Sequence, residues 1–138
     1  MIAADLAEHD AIEEITTAVL QAFGGLDVLV NNAAVERNLP ASKVTGESID
    51  ETLFVNLRQA FMLCSAFAKP LFASKGAIVS ITSTAATGAG GTQGPCAASK
   101  GGLNTFGDDT GHFVDAVDHR EARLDDYVAA SGRVSWSR

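Results

Sequence analysis

Apolar positions in the first third of the chain follow two different periods. Asp10 and Glu13 form a pair that resembles a capping box at the start of a helix. After Asp10, four apolar residues recur at helical spacing: Ile12, Ile15, Val19 and Phe23. The run "LDVLV" at 26 to 30 has little polar alternation, which is typical of a strand buried on both faces. It leads into the polar turn "NNAA" at 31 to 34. Helix, strand and turn together predict an α/β unit.

The pattern then repeats further along the chain. Ser48 and Glu51 form a second capping box before a longer helix, which Pro70 is predicted to kink or end near Ala68. Its apolar stripe is either core or a helix-packing face shared with a partner subunit; the stripe consists of Leu53, Leu57, Phe61 and Cys64. "GAIVSIT" at 76 to 82 predicts the next buried strand, and "CAASKGGLNTF" at 96 to 106 the next helix.

The alternation of elements through Phe106 defines the predicted fold class. "IAADL" at 2 to 6 is compatible with the end of an earlier strand, so strands and helices alternate three times. Such alternation favours an α/β fold of parallel strands with crossover helices. The first domain is therefore predicted to span residues 1 to 106.

Residues 107 to 138 differ in character from the rest of the chain. They hold seven acidic and four basic residues, and no buried strand like the earlier two is visible among them. We expect an acidic tail that is poorly ordered or irregularly helical. A change of reading frame near residue 107 is our hypothesis for its origin, which the nucleotide sequence decides.

Composition narrows the class of protein. A chain of 138 residues that is 46% hydrophobic suits one domain, and a net charge of -7 argues against a nucleic-acid partner. No apolar run approaches the roughly 20 residues of a membrane-spanning helix, and the N-terminus lacks the features of a secretory signal. A cytoplasmic location without membrane association is the expectation. Two cysteines and three scattered histidines give no metal-ligand spacing, so no metal site is predicted.

Three residues near the second predicted strand suggest chemistry. Ser83 follows the strand, Cys96 comes thirteen residues later, and Lys100 lies four residues beyond Cys96. Hydride transfer at a carbon that bears oxygen needs a proton donor at the oxygen, a second hydrogen-bond donor and a nearby cation. A spacing of four places the proton donor and the lysine on consecutive turns of one helix.

Four features of the sequence resemble the short-chain dehydrogenase/reductases: the spacing of Ser83, Cys96 and Lys100, the turn "NNAA", "FVNLRQAF" at 54 to 61 and "ADL" at 4 to 6. The resemblance implies a partial Rossmann-type doubly wound parallel sheet, a three-layer α/β/α remnant, and an NAD- or NADP-dependent reaction on a small alcohol or carbonyl substrate. It also implies functional residues: Asn56, Ser83, Cys96 and Lys100 would be catalytic, while Asp5, Leu6, Asn32, Ala33, Ala34 and Lys100 would bind the cofactor.

Two departures from the family pattern affect the expected activity. Cys96 occupies the position of the family's tyrosine, where a thiol is a shorter and weaker hydrogen-bond donor. The family's glycine-rich strand-turn-helix is not found, since "TGAGGTQG" at 87 to 94 has Gln93 where the last glycine is needed. We therefore expect impaired or absent hydride transfer. The alternatives are a non-catalytic interaction module and a fragment product without its own function, with homo-oligomers formed through helices 48 to 69 and 96 to 106.

Overall fold

The computed structural model describes residues 2–88, 91–110 and 113–116, and it describes side chains as far as Phe106. Four α-helices lie in this part of the chain: α1 (Ala11–Phe23), α2 (Gly46–Leu53), α3 (Gln59–Ser74) and α4 (Gly94–Thr110). Three strands accompany them: β1 (Val28–Asn31), β2 (Ala77–Ile81) and β3 (Phe113–Ala116). Short 3₁₀ turns occupy Ala41–Lys43 and Thr84–Ala86, and a π-helical turn occupies Phe54–Arg58.

The three strands form one parallel sheet in the order β1, β2, β3. Val28 pairs with Ala77 at one end of the β1–β2 ladder, and Ile81 pairs with Ala116 at the far end of the β2–β3 ladder. Each connection between strands contains a helix, as parallel pairing requires. The fold is thus the α/β, partial Rossmann-type arrangement that the alternating pattern and the family resemblance predict.

Residues 107 to 116 require a correction of the predicted tail. Helix α4 runs to Thr110, and Phe113–Ala116 pairs with β2 as a third parallel strand. A ladder is made by backbone groups, so a short strand needs no long apolar run to form. Residues 117 to 138 lie outside the described part of the chain, and the remainder of the predicted tail falls there.

The starts of the first two helices also differ from the prediction. Residues 2 to 6 form no strand, and Asp10 precedes α1 without a side-chain capping bond. Helix α2 begins at Gly46, because Thr45 and Ser48 form a reciprocal capping box one turn before the predicted one. Glu51 is then free to form an ion pair with Arg37 at 2.8 Å.

Helix α3 continues through Pro70 to Ser74, so it does not end near Ala68, which was one of the two outcomes predicted for Pro70. Proline removes one helical hydrogen bond, but buried Phe67 and Leu71 on either side of Pro70 belong to the hydrophobic core. Their packing offsets the lost bond. None of the helices in the described ranges is long and apolar enough to cross a membrane.

The hydrophobic core lies on one face of the sheet. Leu29 of β1 and Ile78 of β2 are register partners, and both pack with residues of α1, α3 and α4. Val28 and Val30 point to the opposite face, where they are 51% and 55% exposed. The prediction that β1 is buried on both faces is therefore wrong, because the described helices cover only the face of Leu29.

Candidate active site

A π-helical turn at Phe54–Arg58 places Asn56 in the interior. Such turns add one residue to a helix and are frequent at functional sites. Asn56 is 1% exposed, and its Oδ1 accepts the Val35 N–H at 2.7 Å. Its Nδ2 donates to the Val35 carbonyl at 2.9 Å and to Ser99 Oγ at 3.2 Å. One amide therefore connects the loop after β1 with helix α4.

Lys100 and Ser83 lie at the same end of β2. Lys100 is only 5% exposed, and its Nζ donates to the carbonyl of Ile81, the last residue of β2, at 2.6 Å. Ser83 follows two residues later, and its Oγ accepts the Ala85 N–H at 3.2 Å at the start of the 3₁₀ turn. Helix α4 packs against that turn. The residues that carry the predicted cation and the predicted hydroxyl thus both lie at the carboxyl edge of the sheet.

Cys96 lies in the first turn of α4, one helical turn before Lys100. Its thiol is 7% exposed, and this burial raises the pKa of the thiol above its ordinary value. The negative charge of Glu36 raises the pKa further, whereas the Lys100 charge lowers it by a smaller amount. The thiol is consequently protonated at neutral pH.

The "NNAA" turn divides into a buried and an exposed part. Asn31 is buried, and its Nδ2 donates to Ser80 Oγ at 3.3 Å and to Cys64 Sγ at 3.4 Å. The three predicted cofactor residues that follow are exposed; they are Asn32, Ala33 and Ala34. Asn31 holds β1 to β2 and α3 with its side chain, so it supports the turn that presents its neighbours.

The predicted adenine-contacting pair lies in a turn before α1. Asp5 is exposed, and its Oδ1 accepts the Ala7 N–H at 2.9 Å. Leu6 faces inward and lines a cavity of about 40 Å³ together with the "NNAA" turn and the π-helical turn. Among the predicted site residues, this cavity gathers Leu6, Asn32, Ala33 and Asn56. Ser83, Cys96 and Lys100 do not line this cavity, but Ser99 of the same helix as Cys96 and Lys100 is hydrogen-bonded to Asn56.

The structure adds two buried polar residues that the sequence analysis missed. Ser99 accepts a hydrogen bond from Asn56 and donates one to the Cys96 carbonyl at 2.7 Å. Gln59 donates to the Leu6 carbonyl at 2.8 Å. Each is polar where its helix faces the interior, but the partners Asn56 and Leu6 are far away in sequence, so no spacing rule indicates these bonds.

The residues present fit part of a dinucleotide site. Asn31 lines the same cavity as Leu6, and its Oδ1 is a buried acceptor without a hydrogen-bond partner among the described residues. Such an acceptor can take a hydrogen bond from water or from a donor group of a ligand. Polar residues gathered at the carboxyl ends of parallel strands are typical of nucleotide-binding α/β domains.

Comparison with known proteins identifies the family. The sequence model described as short chain dehydrogenase matches residues 1–115, so the chain belongs to the short-chain dehydrogenase family of oxidoreductases. The D-threitol dehydrogenase of Mycolicibacterium smegmatis is 40% identical over 86 residues, which are 62% of this chain and 33% of that protein. The sepiapterin reductase of Chlorobaculum tepidum is 39% identical over 87 residues, which are 62% of this chain and 36% of that protein. The chain thus spans about a third of these relatives.

A solved structure confirms the fold. The crystal structure of a metagenomic short-chain oxidoreductase in complex with NADP superposes with a TM-score of 0.77 at 31% sequence identity. The superposition covers 93% of this chain and 63% of that chain. The parallel sheet described above is therefore part of a Rossmann-type domain.

The electrostatic surroundings of Cys96 lead to a first prediction. Glu36→Gln removes the negative charge that raises the pKa of this thiol, so more thiolate forms at a given pH. Alkylation by iodoacetamide at pH 8 should accelerate by up to about fivefold, the effect of a unit charge about 4 Å away in water. Peptide-level mass spectrometry measures the rates at Cys96 and Cys64 separately.

Glu47→Gln is the matched control, because it removes an exposed carboxylate at the start of α2. It should leave the Cys96 rate unchanged, and Cys64 should react alike in all three proteins. Equal Cys96 rates in Glu36→Gln and the unmodified chain would contradict the assigned electrostatics.

Proposed function

We propose that this chain carries the substrate end of an NAD- or NADP-dependent alcohol/carbonyl oxidoreductase site, with hydride transfer impaired by Cys96. The observation that carries the proposal is the meeting of the Lys100 ammonium with the carboxyl end of β2, next to Ser83. A lysine that is almost fully buried is rare unless it is paired. Here its ammonium is paired with the Ile81 carbonyl, and Lys100 directly follows Ser99, which is hydrogen-bonded to Asn56.

Each residue has a defined role in this proposal. The Ser83 hydroxyl donates a hydrogen bond to the substrate oxygen, because it lies where the strand ends and is only half-buried. Lys100 holds a ribose hydroxyl and favours the loss of a proton from a neighbouring acid through its positive charge. Asn56 fixes the loop after β1 and the start of α4 relative to each other. When bound, the nicotinamide cofactor supplies or accepts the hydride.

Cys96 is the reason for impaired chemistry. A general acid must reach the substrate oxygen and release its proton near the working pH. The Cys96 side chain is short and buried, and its burial raises the pKa of the thiol. An S–H group is also a weak hydrogen-bond donor. Cys96 therefore supports proton transfer poorly, while the groups that bind substrate and cofactor remain.

Cofactor binding involves the two groups of residues differently. Asp5 and Leu6 would hold the adenine end, and Asn32, Ala33 and Ala34 would line the path of the cofactor towards Lys100. In support, Leu6, Asn32 and Ala33 surround one cavity. Alcohols and carbonyl compounds are the substrate class that the family membership favours.

A binding titration tests the proposal directly. Lys100→Met removes the cation that holds the ribose, so the affinity for NADH or NADPH should fall about tenfold, in the range for one hydrogen bond to a charged group. Isothermal titration calorimetry with each cofactor measures this. Lys69→Met, which removes an exposed lysine of α3, should bind like the unmodified chain.

The titration can contradict the proposal in two ways. Failure of the unmodified chain to bind either cofactor at millimolar concentration would contradict a retained binding site. Equal affinities of the unmodified chain and Lys100→Met would contradict the role of Lys100.

A second candidate function is a non-catalytic oligomerisation module. Phe61 of α3 is exposed and stacks on Phe106 of α4 at 3.6 Å between ring centroids. Both residues line an apolar groove of about 650 Å³, and exposed Phe72 lies at the same groove. We call this groove with its three phenylalanines the α3–α4 surface. Exposed aromatic clusters of this kind favour protein–protein contact.

Self-association tests this second candidate. Phe61→Asp places a carboxylate on the α3–α4 surface, so dimers that use this surface should dissociate at least about tenfold more readily. Sedimentation velocity over a concentration series gives the dissociation constants. Phe23→Asp changes an exposed phenylalanine of α1 and should leave association unchanged. Identical association of Phe61→Asp and the unmodified chain would contradict the use of this surface.

A further inference from the structure

The side chain of Gln59 is completely buried directly after the π-helical turn. A glutamine of zero exposure needs partners for its amide, because an unpaired buried amide is costly. Its Nε2 donates to the Leu6 carbonyl at 2.8 Å and to the Glu8 carbonyl at 3.3 Å. Its Oε1 accepts from the Arg58 guanidinium at 3.4 Å. Both ends of the amide are therefore engaged.

The two carbonyls belong to one tight turn. The Glu8 N–H donates to the Asp5 carbonyl at 3.0 Å, and the Ala7 N–H donates to the Asp5 carboxylate at 2.9 Å. These bonds close residues 5 to 8 into a single local unit. Gln59 donates hydrogen bonds to two backbone oxygens of this turn, so it fixes both the position and the orientation of the turn.

The turn has no strand to hold it in place. Residues 2 to 6 form no strand, so ladder bonds to the sheet do not set the position of Leu6. The Leu6 side chain packs against the core and lines the cavity that Asn32 and Ala33 also line. An apolar contact alone permits sliding, whereas two directional hydrogen bonds to the backbone do not.

We infer that Gln59 is a positioning residue for the adenine end of a bound nicotinamide dinucleotide, acting through the Asp5–Leu6 turn. The inference rests on the proposed cofactor role of Asp5 and Leu6. Asn56 and Gln59 follow one another by three residues on the same helix, yet they hold different segments, since Asn56 binds the loop after β1. Asn56 in the π-helical turn and Gln59 directly after it thus support the two ends of the proposed cofactor site separately.

This division predicts selective loss of one half of the ligand. Gln59→Leu keeps the volume of the side chain but donates no hydrogen bond, so Leu6 is no longer held in register with Asn32 and Ala33. The affinity for AMP should fall about tenfold, while the affinity for nicotinamide mononucleotide should change by less than about twofold. Ligand-observed NMR titrations with each mononucleotide measure both values. Gln21→Leu, at an exposed position of α1, should bind both like the unmodified chain.

A second measurement does not depend on any ligand. Hydrogen exchange at the Ala7 and Glu8 amides should accelerate in Gln59→Leu, because the turn loses its attachment, while exchange in β2 should stay unchanged. Should Gln59→Leu not fold, Gln59→Met retains the length of the side chain without its amide and serves in the same comparison. A general loss of stability would weaken the binding of both mononucleotides and accelerate amide hydrogen exchange throughout the chain.

The outcomes separate the inference from the proposed function. Binding of both mononucleotides by the unmodified chain, with AMP affinity unchanged in Gln59→Leu, overturns the inference alone. Equal loss of both affinities also overturns it, because Gln59 then acts on the whole fold. Failure of the unmodified chain to bind either mononucleotide overturns the proposed function and the adenine role together. Unchanged hydrogen exchange at the Ala7 and Glu8 amides in Gln59→Leu overturns the attachment of the turn itself.

Discussion

The hydrogen bonds of the Asn56 amide connect the three segments from which the candidate site is built. Asn56 belongs to the helix that crosses from β1 to β2, Val35 to the loop after β1, and Ser99 to the helix after β2. All three are joined through one side chain of 1% exposure. The hydrogen bonds of a buried side-chain amide are directional and costly to break, so they define the geometry more strictly than apolar packing does. Ser99 also donates a hydrogen bond to the Cys96 carbonyl and directly precedes Lys100 in the chain. The positions of Cys96 and Lys100 therefore depend on this connection.

Sequence patterns predict the elements well because they report which residues are apolar. The runs before Asn31 and Thr82 indicated β1 and β2, and their order indicated the parallel sheet. Strand β3 escaped prediction because backbone pairing with β2 needs no long apolar run. The exposure of Val28 and Val30 also escaped prediction, since an apolar run does not reveal how many faces are covered.

Spacing along the sequence points to candidate site residues where these lie on consecutive elements. Ser83 and Lys100 can be proposed from the sequence because a strand end and the next helix are close along the chain, and both residues lie at the end of β2. Ser99 and Gln59 were missed because their partners, Asn56 and Leu6, are 43 and 53 residues away. The π-helical turn adds a residue within the helix and therefore rotates the following positions, which no regular period anticipates.

Cys96 illustrates how binding and chemistry depend on different properties of a site. Ser99 accepts a hydrogen bond from Asn56 and donates one to the Cys96 carbonyl, while Lys100 donates to the Ile81 carbonyl. These hydrogen bonds do not use the thiol of Cys96, so in the proposed function the side chain at position 96 affects the supply of a proton rather than these bonds.

A double-mutant cycle between Asn56 and Ser99 tests the central claim most directly. Urea unfolding of the unmodified chain, Asn56→Ala, Ser99→Ala and the double variant gives four free energies of unfolding. If the amide joins the crossing helix to α4, the two losses are coupled by about 0.5–3 kcal/mol, the range for residues that share a hydrogen-bond network. Losses that simply add would contradict the claim that this connection holds the site together.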